Sequence, residues 1–289
     1  MNDRKIKIAL CCPASLPATQ FGGIMFLALD IAREISKTEN EVTIFTTDLD
    51  FANGPKSFNK NLPREESVGK FKINRTHVWI AVNLFYINPG MYFQMLKADI
   101  DIIHTIGIRS FQSLIAAIIS KKRNIPLVIS DQGGLTTHPD LQKAGVVRKL
   151  LYKIQNPLLE FIIKQATAIS VANEYEKEIF ARYKAVSKTV VIRNGINLEE
   201  LDSKNINFKN KYKIQTRFIL FLGRFSKVKG IDILLKSINV LKKKSGNLDF
   251  KTVIMGVDFG FEKQMIKMID VLELNNDVIV IKNPAREEV

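Results

Sequence analysis

The sequence has few cysteines and no long apolar segment. Its two cysteines, Cys11 and Cys12, are adjacent. Neighbouring residues of a strand point to opposite faces, so this pair is poorly placed for a disulfide, and its spacing does not suit a zinc site. We interpret both as buried strand residues in a reducing compartment. No stretch approaches the ~20 apolar residues of a membrane span.

The N-terminal segment also lacks the features of a secretory signal. Its apolar run covers only about six residues before a turn, which is too short for the hydrophobic region of a signal peptide. We therefore expect a cytoplasmic protein, with peripheral attachment to the cytoplasmic face of the membrane as the alternative.

Acidic residues are outnumbered by basic ones. Forty-three Lys and Arg stand against 29 Asp and Glu, which gives a formal net charge of +14. This surplus favours phosphates, nucleic acid or an acidic membrane face as partners, and it equally fits a protein that is basic over its whole surface. The lysines are dispersed and no nucleic-acid readout motif is present, which argues against nucleic acid.

Apolar segments alternate with helical patterns along most of the 289 residues. Seven strands separated by helices are predicted before residue 193, and this rhythm predicts parallel sheets in an α/β fold. A polar segment at 199–216 predicts a linker between a domain at 1–198 and a partial domain at 217–289. Three strands and two helices are predicted for the second domain.

Paired glycines precede the first predicted helix. Gly22 and Gly23 follow the first strand, where a helix N-terminus offers free N–H groups and glycine lets an anion approach the backbone. The same residues also fit a plain tight connection between strand and helix.

A basic segment at 221–230 reads Phe-Leu-Gly-Arg-Phe-Ser-Lys-Val-Lys-Gly. Arg224 would leave the end of a strand, and Lys229 would lie where a helix begins. Arginine can grip phosphate with two N–H groups and lysine adds a mobile charge. The pair suits a diphosphate leaving group, whose charge grows as a glycosidic bond breaks. A solvated basic turn is the alternative interpretation.

Two further segments follow predicted strands. Residues 129–135, Ile-Ser-Asp-Gln-Gly-Gly-Leu, lie with His138 at the strand end where open α/β sheets place ligands. Residues 192–197, Ile-Arg-Asn-Gly-Ile-Asn, contain Asn194-Gly195, a strong turn signal.

Taken in order, these segments resemble glycosyltransferase family four. Gly22-Gly23 with its helix and residues 41–48 resemble the family's opening βαβ unit. Residues 101–104, 192–197 and 221–230 resemble its D-I-I-H, I-P-N-G-V-D and L-G-R-L-x-x-x-K-G patterns. The resemblance implies a GT-B fold, in which two Rossmann-like domains face each other across a cleft. It also implies a retaining transfer from a UDP- or GDP-linked sugar to a glycan or lipid-linked acceptor, with no cofactor and no metal.

The resemblance also assigns residues to roles. Arg224 and Lys229 would hold the donor diphosphate and carry the catalysis, and the N–H groups of Gly22 and Gly23 would bind near the phosphates. Asp131 and Gln132 fall on the acceptor side, where many relatives have a histidine. Glutamine cannot act as an acid or base, so no proton transfer is expected there.

The sequence departs from the family after the third strand of the second domain. Relatives continue into an E-x7-E motif that holds the donor sugar and ribose, whereas here Glu287 and Glu288 come just before Val289. We therefore expect an incomplete second domain. Two alternatives follow: a truncated or non-catalytic remnant that binds donor diphosphate or membrane without turnover, and a GT-B nucleotide-sugar epimerase. The Arg224 loop favours the transferase.

Two segments are candidates for contact with an anionic membrane. The predicted helix at 146–166 combines an apolar stripe with basic residues, although such a stripe also fits packing on the protein's own sheet. We expect Pro157 to bend or break this helix. The aromatic patch at 85–93 is the second candidate, for lipid or acceptor contact.

Overall fold

The computed structural model describes residues 4–51, 57–82, 85–135, 146–195 and 207–284, and for residues 146–154 it describes the backbone alone. The chain divides into two compact units, Met1–Ile196 and Asn197–Val289. The predicted domain limits at 198 and 217 lie close to this division and stay a prediction.

The first unit contains an eight-stranded sheet and a separate hairpin. Its strands in chain order are β1 (Lys7–Cys11), β2 (Glu41–Thr47), β3 (Glu65–Val68), β4 (Phe71–Thr76), β5 (Ile80–Val82), β6 (Phe85–Ile87), β7 (Ile102–Ile106), β8 (Leu127–Ser130), β9 (Ala168–Val171) and β10 (Thr189–Val191). The sheet order is β10-β9-β8-β7-β1-β2-β4-β3, and all neighbours are parallel except β3 and β4. β5 and β6 form the antiparallel hairpin.

All seven predicted strands of this unit are present, and three others were missed. β3 has the sequence Glu-Glu-Ser-Val and is an antiparallel edge strand with only part of its surface covered, so it lacks the apolar run of a buried parallel strand. The hairpin strands have three residues each, which is too short for a periodic pattern.

Helices cover both faces of this sheet. They are α1 (Gly23–Lys37), α2 (Gly90–Lys97), α3 (Phe111–Arg123), α4 (Val146–Gln165) and α5 (Glu174–Ile179). α4 continues through Pro157 without the predicted break. Proline removes one intrahelical hydrogen bond, and the following turns of α4 bury Leu159, Ile162 and Ile163 in the core, which keeps the helix in place.

Both cysteines are buried and free, as predicted. Burial raises the pKa of the Cys12 thiol to about 12 and raises the pKa of Cys11 as well. Because the thiolate is the reactive form of cysteine, both side chains are chemically inert at neutral pH.

Both candidate membrane segments contribute buried residues to the core in their described parts. In the aromatic patch, Tyr86 and Met91 are fully buried and Phe93 alone is mainly exposed. The described half of α4 buries its apolar side within the first unit, and the side chains of 146–154 lie outside the described residues. The prediction of lipid contact at 85–93 is therefore wrong for Tyr86 and Met91, because β6 and α2 direct these two side chains into the core. Acceptor contact at this patch stays a prediction.

A different apolar group is exposed on the hairpin. Trp79 is 72% exposed, and Ile80 and Val82 are more than half exposed. Within the described ranges, no helix has the length and apolar character that crossing a bilayer requires.

The second unit is a smaller α/β layer. Its strands β11 (Arg217–Leu222), β12 (Phe250–Gly256) and β13 (Val278–Lys282) form a parallel sheet in that order. Its helices are α6 (Phe208–Lys211), α7 (Ile231–Ser245) and α8 (Glu262–Val271). The three predicted strands and two predicted helices are present. α6 lies within the predicted linker, where Phe208 and Tyr212 pack beside the second sheet.

Both edge strands of the second sheet, β11 and β13, lack an outer partner among the residues that the structure describes. β11 pairs with β12 on one side, and no other described strand pairs with it. Three of its apolar side chains, Ile219, Leu220 and Leu222, are 42–46% exposed.

Candidate functional site

The order of the first sheet creates a topological switch point. β1 lies between β2 and β7, so the chain leaves β1 toward one side and later returns on the other. Ligands of open α/β sheets bind at the carboxyl ends of the strands at such a point. The loop after β1 leads to Gly22, and the loop after β7 begins with Gly107, where an added Cβ would lie 3.7 Å from Ile24 Cδ1.

The Gly22-Gly23 turn lies at this switch point with its backbone uncovered. Gly22 has φ 92° and ψ −151° and caps α1, a conformation that favours glycine. A Cβ added at Gly22 or Gly23 would meet nothing within 4 Å. Among the described residues, the N–H groups of Gly23 and Ile24 have no hydrogen-bond acceptor. The turn therefore offers two free N–H donors at a helix N-terminus, where an anion is favoured.

Asp131 is directed into its own loop at the end of β8. Its carboxylate is 1% exposed and accepts the N–H groups of Gly134 at 2.9 Å and Leu135 at 3.3 Å. Burial raises the pKa of Asp131 to about 6, although these two N–H groups and Arg109 oppose the rise. The carboxylate thus shapes the loop that follows β8, and its place on the acceptor side stays a prediction. His138 lies outside the described residues.

Gln132 joins two of the sequence segments. Asn194 donates to Gln132 Oε1 at 2.7 Å, and Gln132 donates to Asn194 Oδ1 at 3.3 Å. The two residues follow β8 and β10, which lie on either side of β9. A reciprocal amide pair therefore connects the 129–135 and 192–197 segments, and the part of the second segment beyond residue 195 lies outside the described residues.

His104 of the Asp-Ile-Ile-His segment is a structural histidine. Its Nε2 lies 2.8 Å from Ser130 Oγ, which links β7 to β8. Burial lowers the pKa of His104 to about 4, so the imidazole is neutral at physiological pH.

Two loops of the second unit hold Arg224 in place. The Phe225 N–H donates to Val257 O at 2.7 Å, and the Phe259 N–H donates to Phe225 O at 3.0 Å. The Arg224 guanidinium lies 4.7 Å from the centre of the Phe259 ring, a cation–π contact that orients it. Burial lowers the pKa of Arg224, but a guanidinium remains charged in proteins.

The backbone beneath this loop is unusually close. A Cβ built on Gly256 would lie 1.8 Å from the carbonyl oxygen of Gly223. Only glycine fits at position 256, because this carbonyl is backbone and cannot move aside. This close backbone contact fixes the position of Gly223, the residue between the end of β11 and Arg224.

Lys229 ends a short 3₁₀ turn, Lys227–Lys229, and is exposed. Gly230 follows with φ 73° and caps α7. In the described part of the chain, neither Arg224 nor Lys229 forms an ion pair with a carboxylate. Both charges are therefore available to an external anion.

Comparison with protein families identifies the class of the chain. The family model described as Glycosyltransferase Family 4 matches residues 21–200, which is more than half of the sequence. The chain belongs to glycosyltransferase family 4. A second model, Glycosyl transferases group 1, matches residues 202–289. The predicted resemblance is confirmed, and in this family 4 chain the second match includes the Arg224 loop.

Solved structures give the fold of this family 4 chain. The Anabaena protein HepE, in complex with UDP and glucose, matches with a TM-score of 0.66 and 15% identity over 97% of this chain and 70% of that chain. The UDP-forming trehalose-phosphate synthase of Burkholderia xenovorans, in complex with glucose-6-phosphate, matches with a TM-score of 0.65 and 10% identity over 98% of this chain and 76% of that chain. Starch Synthase IV of Arabidopsis thaliana, bound to ADP and acarbose, matches with a TM-score of 0.63 and 8% identity over 98% of this chain and 75% of that chain.

These likenesses are low in identity and show the fold alone, which is GT-B with Rossmann-like units. The predicted fold class is confirmed. No curated protein matches the sequence at a significant level.

Two residues of the site were missed by sequence reasoning. Arg109 donates through Nε to Gly134 O and through Nη1 to Gln155 Oε1 at 3.2 Å, so it ties the Asp131 loop to α4. Glu176 is buried and accepts the Ala172 N–H at 3.0 Å. Glu176 could have been found from the sequence, because Asn173-x-x-Glu176 matches the pattern of a helix capping box. No sequence pattern marks Arg109.

The described ranges contain no group of three or more His, Cys, Asp or Glu side chains that could hold a metal ion. The independence of the reaction from metals and cofactors stays a prediction.

Proposed function

We propose that this family 4 chain is a retaining glycosyltransferase that moves a sugar from a UDP- or GDP-linked donor to a glycan or lipid-linked acceptor. The observation that carries the proposal is Arg224, a half-buried cation that is oriented by Phe259 and has no carboxylate partner among the described residues. A charge held in this way needs an anion to offset its burial. The UDP and ADP bound in the HepE and starch synthase structures support a nucleoside diphosphate.

Arg224 and Lys229 have complementary roles in this proposal. The guanidinium grips the donor diphosphate with two N–H groups, and the flexible Lys229 ammonium follows the charge as it moves. When the glycosidic bond breaks, negative charge accumulates on the departing diphosphate. Preorganised cations stabilise that charge more in the transition state than in the ground state, so they accelerate the reaction without a metal.

The first unit supplies neutral donors and acceptors. We propose that the free N–H groups at the Gly22-Gly23 turn bind phosphate oxygens of the donor. Gln132, with Asn194, would contact acceptor hydroxyl groups, while Asp131 keeps their loop in shape. Since an amide transfers no proton, the acceptor proton must leave by way of the departing phosphate or solvent.

The decisive experiment combines a binding assay with a transfer assay. UDP and GDP are titrated calorimetrically into wild type and Arg224→Met, and UDP- and GDP-sugars are tested for hydrolysis and transfer. Arg217→Met is the matched control, because Arg217 lies at the opposite end of β11 and pairs with Asp249. We expect Arg224→Met to weaken nucleotide binding by about tenfold or more, the cost of one charge-assisted contact.

The outcomes separate the alternatives. Transfer with retained anomeric configuration, followed by NMR, supports the proposal. Nucleotide binding without hydrolysis or transfer supports a non-catalytic binding protein, and a donor epimerised in place supports the epimerase. Equal nucleotide affinity in wild type and Arg224→Met refutes the assignment of the site.

The hairpin suggests that the acceptor side also contacts a membrane. Trp79, Ile80 and Val82 expose apolar surface, and tryptophan favours the membrane interface. The net charge of +14 adds attraction to anionic lipid. After sedimentation with vesicles that contain phosphatidylserine, the unbound fraction of wild type should be smaller than the unbound fraction of Trp79→Ser. Identical free fractions with and without anionic lipid would end this idea.

A further inference from the structure

Arg75 is a buried arginine at the carboxyl end of β4. It is 1% exposed. Its Nε and Nη2 donate to Leu16 O at 3.3 and 2.8 Å, and its Nη1 donates to Pro63 O at 3.1 Å. Glu66 Oε2 lies 2.6 Å from Nη2. The guanidinium therefore crosses the end of the sheet to hold the loop that follows β1.

The bonds of Arg75 depend on the position of that loop. A buried charge is tolerated only when it is paired and its N–H groups are satisfied. The one carboxylate, Glu66, is itself 40% exposed, so the two backbone carbonyls supply much of the compensation. Displacing Leu16 would leave a buried guanidinium without its acceptor, and this opposes any movement of the loop.

Leu16 is coupled to Gly22 by consecutive turns. The chain of backbone hydrogen bonds is Ala18 N–H to Ser15 O (2.9 Å), Thr19 N–H to Pro17 O (2.7 Å), Phe21 N–H to Ala18 O (2.9 Å) and Gly22 N–H to Thr19 O (3.3 Å). Phe21 is buried, which anchors the last turn. At the other end of the loop, Thr47 Oγ1 donates to Pro13 O at 2.8 Å. The segment from residue 13 to Gly22 is thus held at Pro13, at Leu16 and by four hydrogen bonds of its turns.

We infer that Arg75 is a positioning residue for the Gly22-Gly23 turn. Through Leu16 and the turns that follow it, Arg75 sets where the N–H groups of Gly23 and Ile24 lie. The inference rests on the proposed function in that these N–H groups bind a phosphate of the donor. Arg75 itself is buried, so its proposed effect on donor binding is indirect.

The test compares two arginines with the same chemistry. Arg75→Met removes the proposed support, and Arg123→Met is the matched control. Arg123 Nη1 also donates to two backbone carbonyls, Met95 O at 2.9 Å and Ala98 O at 2.6 Å, but it lies at the C-terminal end of α3, away from the turn. Both variants lose an arginine that braces backbone, so a general loss of stability affects both.

Hydrogen exchange gives the readout that needs no ligand. In Arg75→Met the amides of Ala18, Thr19, Phe21 and Gly22 should exchange faster by about tenfold or more, since each turn then opens with its neighbours. In Arg123→Met these amides should be unchanged. Equal exchange in both variants overturns the inference, whether or not the protein binds nucleotide.

UDP titration and kinetics give the functional readout. Arg75→Met should raise the Kd for UDP and the donor KM by about tenfold, the loss of roughly one charge-assisted hydrogen bond, and leave the acceptor KM unchanged. If Arg75→Met does not fold, Glu66→Gln takes its place, with a smaller change in the same direction. Faster exchange in Arg75→Met, when wild type binds neither UDP nor GDP, would retain the positioning role and refute the proposed function.

Discussion

Replacing Asp131 by asparagine should change how the stability of the protein responds to pH. In the folded chain, burial raises the pKa of Asp131 from 3.8 to about 6. The folded state then binds the proton more tightly than the unfolded state does. The resulting stabilisation is fully present below about pH 4 and is lost as the pH rises through 6. Asparagine carries no titrating proton, so the variant lacks this dependence.

The size of the effect follows from the two pKa values. At pH 4.5 the protonated carboxyl of Asp131 adds about 2 kcal/mol to the free energy of unfolding relative to pH 7.5. His104 acts in the opposite direction in the same range. Its pKa is lowered from 6.5 to about 4 by burial, so its contribution is present above pH 6.5 and is lost on acidification. The two effects largely cancel in wild type.

The assay is therefore a difference measurement. Urea unfolding of wild type and Asp131→Asn is followed by circular dichroism from pH 4.5 to 7.5, with Asp249→Asn as a control for the chemistry of the substitution. We expect the variant to gain about 2 kcal/mol relative to wild type as the pH rises. A flat difference across this range would show that burial does not perturb Asp131, and the reasoning would fail.

Three further predictions concern glycines and the open strand. Gly23→Ala should keep or slightly raise the thermal midpoint, because its Cβ meets no atom and alanine is the better helix former; calorimetry should nevertheless show weaker UDP binding. Gly256→Ala should destabilise the second unit by about 3 kcal/mol or more in urea unfolding, since its Cβ would collide with the carbonyl of Gly223. Leu220→Lys should reduce self-association in sedimentation velocity at unchanged stability, because a charge on an exposed edge strand opposes pairing with another chain. An undiminished midpoint for Gly256→Ala, or an unchanged sedimentation profile for Leu220→Lys, would contradict these expectations.

The sequence predicted the strands that are written as apolar runs. Strands such as β1 and β12 are covered on both faces, so each reads as a continuous apolar run, and the alternation with helices identified the parallel sheets. β3 escaped prediction because an edge strand needs no apolar run. The helix is not broken at Pro157, because tertiary packing of the following turns outweighs one missing hydrogen bond, and a bend there stays a prediction.

Candidate site residues were found where a local pattern carries the chemistry. The glycine pair and the Arg224 segment each lie between a strand and a helix that are close in the sequence. Their position at a strand end and a helix start could therefore be predicted from the sequence. The pairing of Gln132 with Asn194 spans 62 positions in the sequence, and Arg75 reaches Leu16 over 59 positions. Contacts of this kind depend on strand order, which local periodicity does not contain. Arg75 and Arg109 looked like two of many dispersed basic residues.

Because Cys11 and Cys12 are inert, the two cysteines of this chain should not react in thiol-labelling experiments. Both sulfur atoms are covered, and the pKa of Cys12 is about 12, so maleimide or spin-label reagents at neutral pH should ignore them. A single cysteine introduced at exposed Tyr175 in the first unit, or at exposed Val271 in the second, would then be the one site that takes up the dye. Fluorescence from either site could follow each unit alone while nucleotide is added.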